Sequence, residues 1–311
     1  MREVSFGLPS FSRGDMAFYS FKKNCTVYIV RGSQRWKIEV YPDLTFSQTF
    51  DEMAHNVKTL HDQNAMFEEA TINKANPANF SFTSLLVTGD DFKILGDWLA
   101  NPALYDIYVD TGVDIFKITQ GVLSRATFQI FKDRLLTVSM EGTASRLTRF
   151  GASGTTIPGT IQTRDIIHTP VIPRALNIEL DGAEVKNING LSLELVNDVQ
   201  WLEYDTLHKS LYVTSATDTQ YPEAFFVSKK TLSGTIQQYL TDSNGSKVQT
   251  WSTNSTLRIR VHNGTAYYLD VNMPKVKISN RLDPGEVFIQ NYDFRMTHSP
   301  ANVTDVLNYN L

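Results

Sequence analysis

The feature that most constrains this chain is a weak internal repeat with a period near 152 residues. Residues 106–112, which end in Asp-Thr-Gly, resemble residues 258–264, which end in His-Asn-Gly. Residues 80–90 match residues 232–242 at the same spacing. Matches that keep one order and nearly one spacing are typical of a duplicated module, so the repeat predicts two copies of one fold.

A change in composition marks the join between the two copies. Residues 151–160 are rich in glycine, serine, threonine and proline and poor in residues that form a core, which is typical of a linker. We therefore expect a first module over residues 1–150 and a linker over residues 151–173. A second module follows over residues 174–311 and ends in a polar, extended C-terminal arm.

Composition excludes several classes of protein. The chain has 311 residues, of which 41% are hydrophobic, and a net charge of −4, so it is not a disordered chain. Its length suits two domains. Cys25 is the single cysteine and has no partner for an intramolecular disulfide. No run of apolar residues approaches the length of a membrane helix, so no membrane partner is expected. The slight negative charge gives no general attraction to nucleic acid.

Strand patterns dominate the sequence and predict a mainly β protein. Residues 26–30 and 36–41 are β-branched or aromatic and are separated by a Gly-Ser turn, which is typical of a hairpin. Residues 287–295 alternate apolar and polar side chains, as half-buried strands do. Each module is therefore predicted to be a β-sandwich or barrel with one short helix. The helix is expected at residues 90–100, and its counterpart at residues 243–253 has weaker helical character.

The sequence contains no recognisable catalytic or cofactor motif. There is no phosphate-binding or dinucleotide-binding glycine loop, and one cysteine with six scattered histidines does not form a zinc site. Asp51-Glu52 and Glu68-Glu69 could serve a glycosidase, but neighbouring strand residues point to opposite faces. We therefore expect no enzyme activity, no metal and no cofactor. A carbohydrate-binding β-sandwich stays open as an alternative. The six Asn-x-Ser/Thr sequons would suit a glycosylated secreted adhesin, but asparagine, serine and threonine are frequent in this chain, so such sequons arise by chance.

Two stretches resemble a known family. Residues 67–72 lead into residues 76–82, which contain the aromatic-serine-aromatic sequence Phe80-Ser81-Phe82, and residues 231–236 are similar to a second copy of this region. A tandem pair of β-modules with a long insertion between strands resembles the tail tube proteins of long-tailed bacteriophages, specifically the duplicated tube proteins of some siphophages. The resemblance spans roughly residues 20–298.

The resemblance implies a major tail tube subunit. Three chains would form a pseudo-hexameric ring with a shared β-barrel, and stacked rings would form the conduit for DNA ejection. The implied partners are further copies of the chain, the tail terminator, distal tail or baseplate proteins, the tape measure protein in the lumen and, transiently, double-stranded DNA. The protein would be assembled in the cytoplasm of the host bacterium and reside in the virion tail. A distal tail or baseplate hub protein is the alternative within the same tail.

The resemblance also implies which residues meet the channel and the next ring. The wall strands are expected within residues 44–52, 80–87, 191–197 and 231–238. Acidic side chains there would repel DNA phosphates, and the channel-lining candidates are Asp51, Glu52 and Glu194. The polar insertion at residues 53–66 is expected to order on contact with a neighbouring ring. Its candidate contact residues are His55, Lys58, Leu60, His61 and Met66, with Leu60 and Met66 as buried anchors.

Overall fold

A computed structural model gives the architecture of the chain. It describes residues 22–55, 69–85, 98, 105–131, 134–162, 175–202, 221–222, 224–242, 251–262, 267–298 and 306–309. Most of these residues lie in β-strands, which confirms the prediction of a mainly β protein. Seventeen strands are hydrogen-bonded into one extended sheet system, and two more form a separate hairpin. Within the described residues the strands do not close into a barrel.

The first half of the chain contains eleven strands. They are β1 (Thr26–Arg31), β2 (Gln34–Ile38), β3 (Thr45–Ser47), β4 (Phe50–His55), β5 (Glu69–Ala75), β6 (Ala78–Leu85), β7 (Tyr105–Asp110), β8 (Asp114–Phe131), β9 (Thr137–Ala144), β10 (Arg146–Ala152) and β11 (Thr160–Ile161).

The second half contains eight strands. They are β12 (Ala175–Leu180), β13 (Ala183–Glu184), β14 (Ile188–Leu202), β15 (Ala224–Tyr239), β16 (Trp251–His262), β17 (Tyr267–Asp283), β18 (Ile289–Met296) and β19 (Leu307–Tyr309).

One pattern of strand pairing occurs in both halves. In the first half β1 pairs with β2 and β7, β8 pairs with β7, β9 and β10, and β6 pairs with β3 and β9. In the second half β12 pairs with β13 and β16, β17 pairs with β16, β18 and β19, and β15 pairs with β14 and β18. Every one of these pairings is antiparallel, so each half has the same topology.

The register of pairing also recurs. Ser81 pairs with Thr45 on one side and with Glu141 on the other. Its counterpart Ser233 pairs with Glu194 and Arg295. These two rows identify equivalent positions in the two halves, although few of the paired residues are identical.

The halves are joined through one long strand. β8 has eighteen residues, and its first part pairs with β7 and β10, whereas its second part pairs with β9 and with β14 of the second half. Leu193 of β14 lies opposite Phe128 of β8, and both side chains are buried in a core cluster that spans both halves. Strand alternation thus carries one hydrophobic core across the junction.

The helix predicted at residues 90–100 falls outside the described residues except for Trp98. Trp98 is helical and fully buried, with its ring 5.8 Å from Phe80 and 5.2 Å from Tyr105. The predicted helical counterpart at residues 243–253 is wrong from residue 251 onward, because Trp251 begins strand β16 and pairs with Ser279. Pairing with β17 decides the conformation there over the weak local helical tendency. None of the helical segments in the described part of the chain is long and apolar enough to cross a membrane.

Two segments expected to lie outside the modules pack against them. After β10 ends at Ala152, Ile157 is buried beside Val30, Tyr108 and Ile115, and β11 pairs in parallel with β2. At the C-terminal end, β19 pairs with β17, and Leu307 is buried. This part of the predicted arm is therefore a strand of the chain's own sheet, because its apolar residues join the core cluster that both halves share.

Candidate functional site

Eight neighbouring strands form a broad sheet with one buried and one polar face. Their order is β3, β6, β9, β8, β14, β15, β18 and β17. On β8 the side chains of Ala126, Phe128 and Ile130 are buried, so the alternate residues point the other way. We call the outward side the polar face. Its hydroxyl residues are Thr45, Ser81, Thr83, Thr127, Ser139, Ser192, Ser233 and Thr235.

Hydrogen bonds between neighbouring strands order these hydroxyls. The hydroxyl oxygens of Thr45 and Ser81 are 2.7 Å apart, and the Thr83 hydroxyl donates to Ser139 at 3.3 Å. In the second half the Thr235 hydroxyl donates to Oδ1 of Asp293 at 2.8 Å. Short hydroxyl side chains thus bond across the strands, to each other and to a carboxylate. The same face also carries charges of both signs, namely Glu141, Arg125, Glu194, Asp293, Arg295 and Lys277.

Arg125 links the two halves on the polar face. Its Nε lies 2.9 Å from Oε1 of Glu194 on β14, and its Nη1 lies 3.6 Å from Oε2 of Glu141 on β9. About half of the Arg125 side chain is exposed, so salt weakens both ion pairs. The predicted channel residue Glu194 therefore lies on the polar face, and Arg125 partly balances its charge. Sequence reasoning missed Arg125, because only the strand register places it between two glutamates.

The outer end of the β14–β15 hairpin contacts the first half. Nε1 of Trp201 donates a hydrogen bond of 2.9 Å to Oγ1 of Thr143 on β9, and the Trp201 ring lies 5.4 Å from Phe225. Nδ2 of Asn197 donates at 3.1 Å to the Leu123 carbonyl oxygen. These bonds pair two side-chain donors of β14 with acceptors on the first half, so they hold β14 against β8 and β9.

The residues just before β15 add to this contact. The Ser145 hydroxyl donates to the carbonyl oxygen of Pro222. The Arg146 guanidinium lies 4.5 Å from the centroid of the Tyr221 ring, and Phe50 meets the same ring edge-on at 6.3 Å. Cation–π and edge-to-face contacts of this kind are directional, so they orient as well as attract. The second half thus covers a defined place on the first half.

The separate β4–β5 hairpin carries the other two channel candidates. Oδ1 of Asp51 accepts a 2.9 Å hydrogen bond from Nδ2 of Asn76, and Oδ2 lies 3.7 Å from Nζ of Lys74. Glu52 is exposed and pairs with Ile72 across the hairpin. Asp51 and Glu52 belong to the two-stranded sheet and Glu194 to the large one. The single chain therefore does not bring the three acidic residues onto one sheet.

The predicted stacking segment begins later than expected. Met53, Ala54 and His55 are the last residues of β4 and pair with β5, because the hairpin continues past the predicted start of the loop. The backbone of His55 is described as part of β4. Lys58, Leu60, His61 and Met66 lie outside the described residues.

A cavity of about 430 Å³ opens beside β15 and β18 of the second half. Its basic side chains are Lys229, Lys230 and His298, and its apolar floor includes Leu232 and Met296. Burial lowers the pKa of Lys230 below its ordinary value of 10.5. Across the described residues, no group of three or more histidine, cysteine or acidic residues is placed to hold a metal ion.

The sequence that forms the polar face and the repeated topology matches a known protein family over almost its full length. The profile of the Bacteriophage Baseplate Tube Protein Family matches residues 17–310. The chain belongs to this family. No curated protein sequence matches it.

Membership in the baseplate tube family makes the chain a structural component of a phage virion tail. This agrees with the broader part of the resemblance stated from the sequence, namely a tail protein that contributes to a tube. The family description names the baseplate, so it supports a baseplate tube protein without singling out the siphophage type of major tail tube.

Proposed function

We propose that the chain is a structural subunit of the hollow tube at the baseplate end of a phage tail, where three chains form a ring of six equivalent halves. The recurrence of one pairing pattern and one register in both halves carries this proposal. Gene duplication accounts for that recurrence, since the two halves share topology and register with little identity. The family supports the tube assignment. A wall subunit of this kind needs no catalytic site, so we infer a non-enzymatic role.

The junction between β8 and β14 serves as the template for the contact between chains. Within the chain, β14 adds to the edge of β8 over residues 125–131. The counterparts of these two strands are β3 and β17, which are the first and last strands of the broad sheet. We infer that β3 of one chain adds to β17 of the next, which removes the exposed sheet edges. Three chains would then supply twenty-four strands, eight from each.

Strand spacing gives the size of such a ring. At about 4.8 Å between strands, twenty-four strands have a circumference of about 115 Å and a diameter of about 37 Å before strand tilt widens it. After side chains are allowed for, a duplex of DNA can pass. In the single chain Trp251 and Ser252 of β16 pair with Ser279 and Ile278 of β17, so ring closure requires the start of β16 to leave that edge.

We place the polar face toward the channel. The hydroxyl residues would hold water. The cations Arg125, Arg295 and Lys277 share this face with the acids Glu141, Glu194 and Asp293, so DNA phosphates would meet charges of both signs and the duplex would slide without binding tightly. Glu194 lies on this face beside Arg125. Asp51 and Glu52 remain predicted channel residues. The tape measure protein would occupy the lumen, double-stranded DNA would pass through it transiently, and assembly would take place in the cytoplasm of the host bacterium.

Stacking of rings would use the two ends of the strands. At one end the exposed apolar residues Tyr239, Leu282, Val287 and Phe288 lie near one another on the β15 end and the β17–β18 turn. At the other end is the β4–β5 hairpin with the predicted stacking segment. Exposed apolar side chains of this kind mark contacts with a partner. We propose that this patch receives the next ring, a tail terminator or another baseplate protein.

Electron microscopy and native mass measurement of the purified protein test the proposal. We expect three-chain rings with a central hole that form at most short stacks. Long uniform tubes would instead favour the major tube role, and a monomer at every concentration would contradict both. Phe288→Asp should leave rings intact but prevent stacking. The matched control is Ile161→Asp, which places the same charge at another exposed apolar site outside the patch.

A further inference from the structure

The contact between the halves of one chain has a counterpart that the single chain leaves open. In the first half, Thr143 of β9 receives the hydrogen bond from Trp201, at the end of the β14–β15 hairpin. Ser81 and Ser233 are equivalent, and they pair with Glu141 and Arg295 respectively. Two residues beyond these partners lie Thr143 and Thr297, so Thr297 marks the same place on the second half.

The hairpin that would cover Thr297 can be identified in the same way. Ser81 pairs with Thr45, and Ser233 pairs with Glu194. Glu52 follows Thr45 by seven residues, and Trp201 follows Glu194 by the same seven residues. The β4–β5 hairpin is therefore the counterpart of the β14–β15 end. Within one chain it belongs to the first half, and only another copy of the chain can bring it to Thr297 in the equivalent way.

The place around Thr297 is a cavity of complementary charge. Thr297 lines the 430 Å³ cavity together with Lys229, Lys230 and His298. Glu52 is exposed on its hairpin. In the first half the equivalent place is covered by the aromatic side chain of Trp201. The acidic residue Glu52 thus occupies the position that Trp201 has in the contact within one chain. The cavity that would receive Glu52 is lined by lysine and histidine side chains.

We propose that the β4–β5 hairpin of one chain docks over this cavity on the second half of the next chain, with Glu52 facing Lys229 and His298. The inference rests on the proposed ring, because it needs two chains side by side. It assigns Glu52 to the contact between subunits in place of the predicted position in the channel wall, and it leaves Glu194 on the polar face. A charged pair at such a contact would select the correct neighbour and register during assembly.

Crosslinking between defined positions tests the contact. In a Cys25→Ser background, Glu52→Cys and Thr297→Cys are introduced together and treated with a short bismaleimide. We expect covalent dimers and trimers of the full chain on denaturing gels. Each single-cysteine variant, and the pair of Glu52→Cys with Glu184→Cys on the exposed β13 strand, should stay monomeric.

The outcomes separate this inference from the proposed function. Rings seen by microscopy that give no crosslink between positions 52 and 297 would overturn the docking contact and leave the ring proposal standing. A chain that stays monomeric at every concentration would overturn both. Crosslinks that form only within a chain, without a change in mass on the gel, would also overturn the contact.

Charge reversal gives a second, independent readout. Glu52→Lys and Lys229→Glu should each raise the concentration at which rings dissociate by about tenfold, because each places like charges together. The double variant should return to within about threefold of the unaltered protein. Glu184→Lys is the matched control for the change in net charge and should have no effect. Two single effects that simply add in the double variant would contradict a direct pairing.

Discussion

The two halves share a topology but place their large and small side chains on different strands. In the first half, Gly142 on β9 lies directly opposite Phe80 on β6. In the second half the glycine is Gly234 on β15, the counterpart of β6, and it lies opposite Phe294 on β18. Both phenylalanines are buried. A Cβ atom on either glycine would overlap the facing ring and a backbone oxygen, of Val122 or Ser192. Each sheet therefore accommodates one ring by removing one side chain, on opposite strands.

Charged residues are exchanged in the same manner. In the first half the acid is on β7 and the base on β8, where Nζ of Lys117 lies 2.8 Å from Oδ2 of Asp106. In the second half the base is on β16 and the acid on β17, where Arg258 Nη2 lies 2.7 Å from Asp270 Oδ2. The comparison shows that the fold accepts the glycine, and likewise the acid, on either strand of a pair. It does not require a given residue on a given strand.

The largest expected effect tests the glycine positions. Gly142→Ala and Gly234→Ala should each lower the free energy of unfolding by about 2–3 kcal/mol, because the added methyl group overpacks a buried site. Chemical denaturation measures the loss. Gly285→Ala is the control, since a Cβ there meets nothing closer than 3.4 Å and should change stability by less than about 0.5 kcal/mol. A tolerated alanine at Gly142 or Gly234 would refute the account of the exchange.

A smaller effect separates the two hairpins. Trp201→Ala should destabilise the isolated chain by about 2 kcal/mol, through loss of partly buried ring area and of the bond to Thr143. Glu52→Ala at the equivalent position should change the stability of the isolated chain by less than about 0.5 kcal/mol, because Glu52 is exposed. Urea unfolding at low protein concentration measures both. Equal losses would show that the two hairpins make the same contacts within one chain.

The smallest effect concerns the exchanged ion pairs. Burial lowers the pKa of Lys117, but the hydrogen bond to Asp106 and the charge of Asp106 outweigh it, so the pKa is raised above 10.5. A raised lysine pKa contributes stability below the unfolded value, and that contribution is lost as the pH rises through the folded value. Lys117→Met should therefore cost about 0.5–1 kcal/mol near pH 8.

The control for this pair is the pH dependence itself. Urea unfolding of Lys117→Met and of the unaltered protein should differ by a constant amount at neutral and mildly alkaline pH, and the difference should shrink above pH 10.5. A difference that persists unchanged into strong alkali would show that Lys117 acts through packing of its methylene groups.

Local pattern predicted much of the fold. The β1–β2 hairpin was found at its Gly-Ser turn, and Gly32 has a φ of 58° there, because turn chemistry acts over a few residues. Alternation over residues 287–295 likewise located β18. The extra length of β4, the strand at Trp251 and the pairing of β19 were not found, since each depends on a partner strand distant in sequence.

The candidate site divides in the same way. Glu194 could be selected from its acidic side chain on a wall strand, but its neighbour Arg125 could not, because only the pairing of β8 with β14 brings them within 2.9 Å. Trp201 was missed for the same reason, as its partner Thr143 lies in the other half. The cavity at Lys229 and His298 has no motif, because its lining comes from strands that are separate in sequence.

Residue patterns were enough to predict a mainly β chain, because period-two alternation and turn residues are local properties of adjacent amino acids. The three-dimensional structure was needed to show which strands meet and in what register, and hence where the polar face, the junction between β8 and β14 and the basic cavity lie. These features are built from residues far apart in the sequence. The contacts between such residues depend on how the strands pair, which no local sequence pattern specifies.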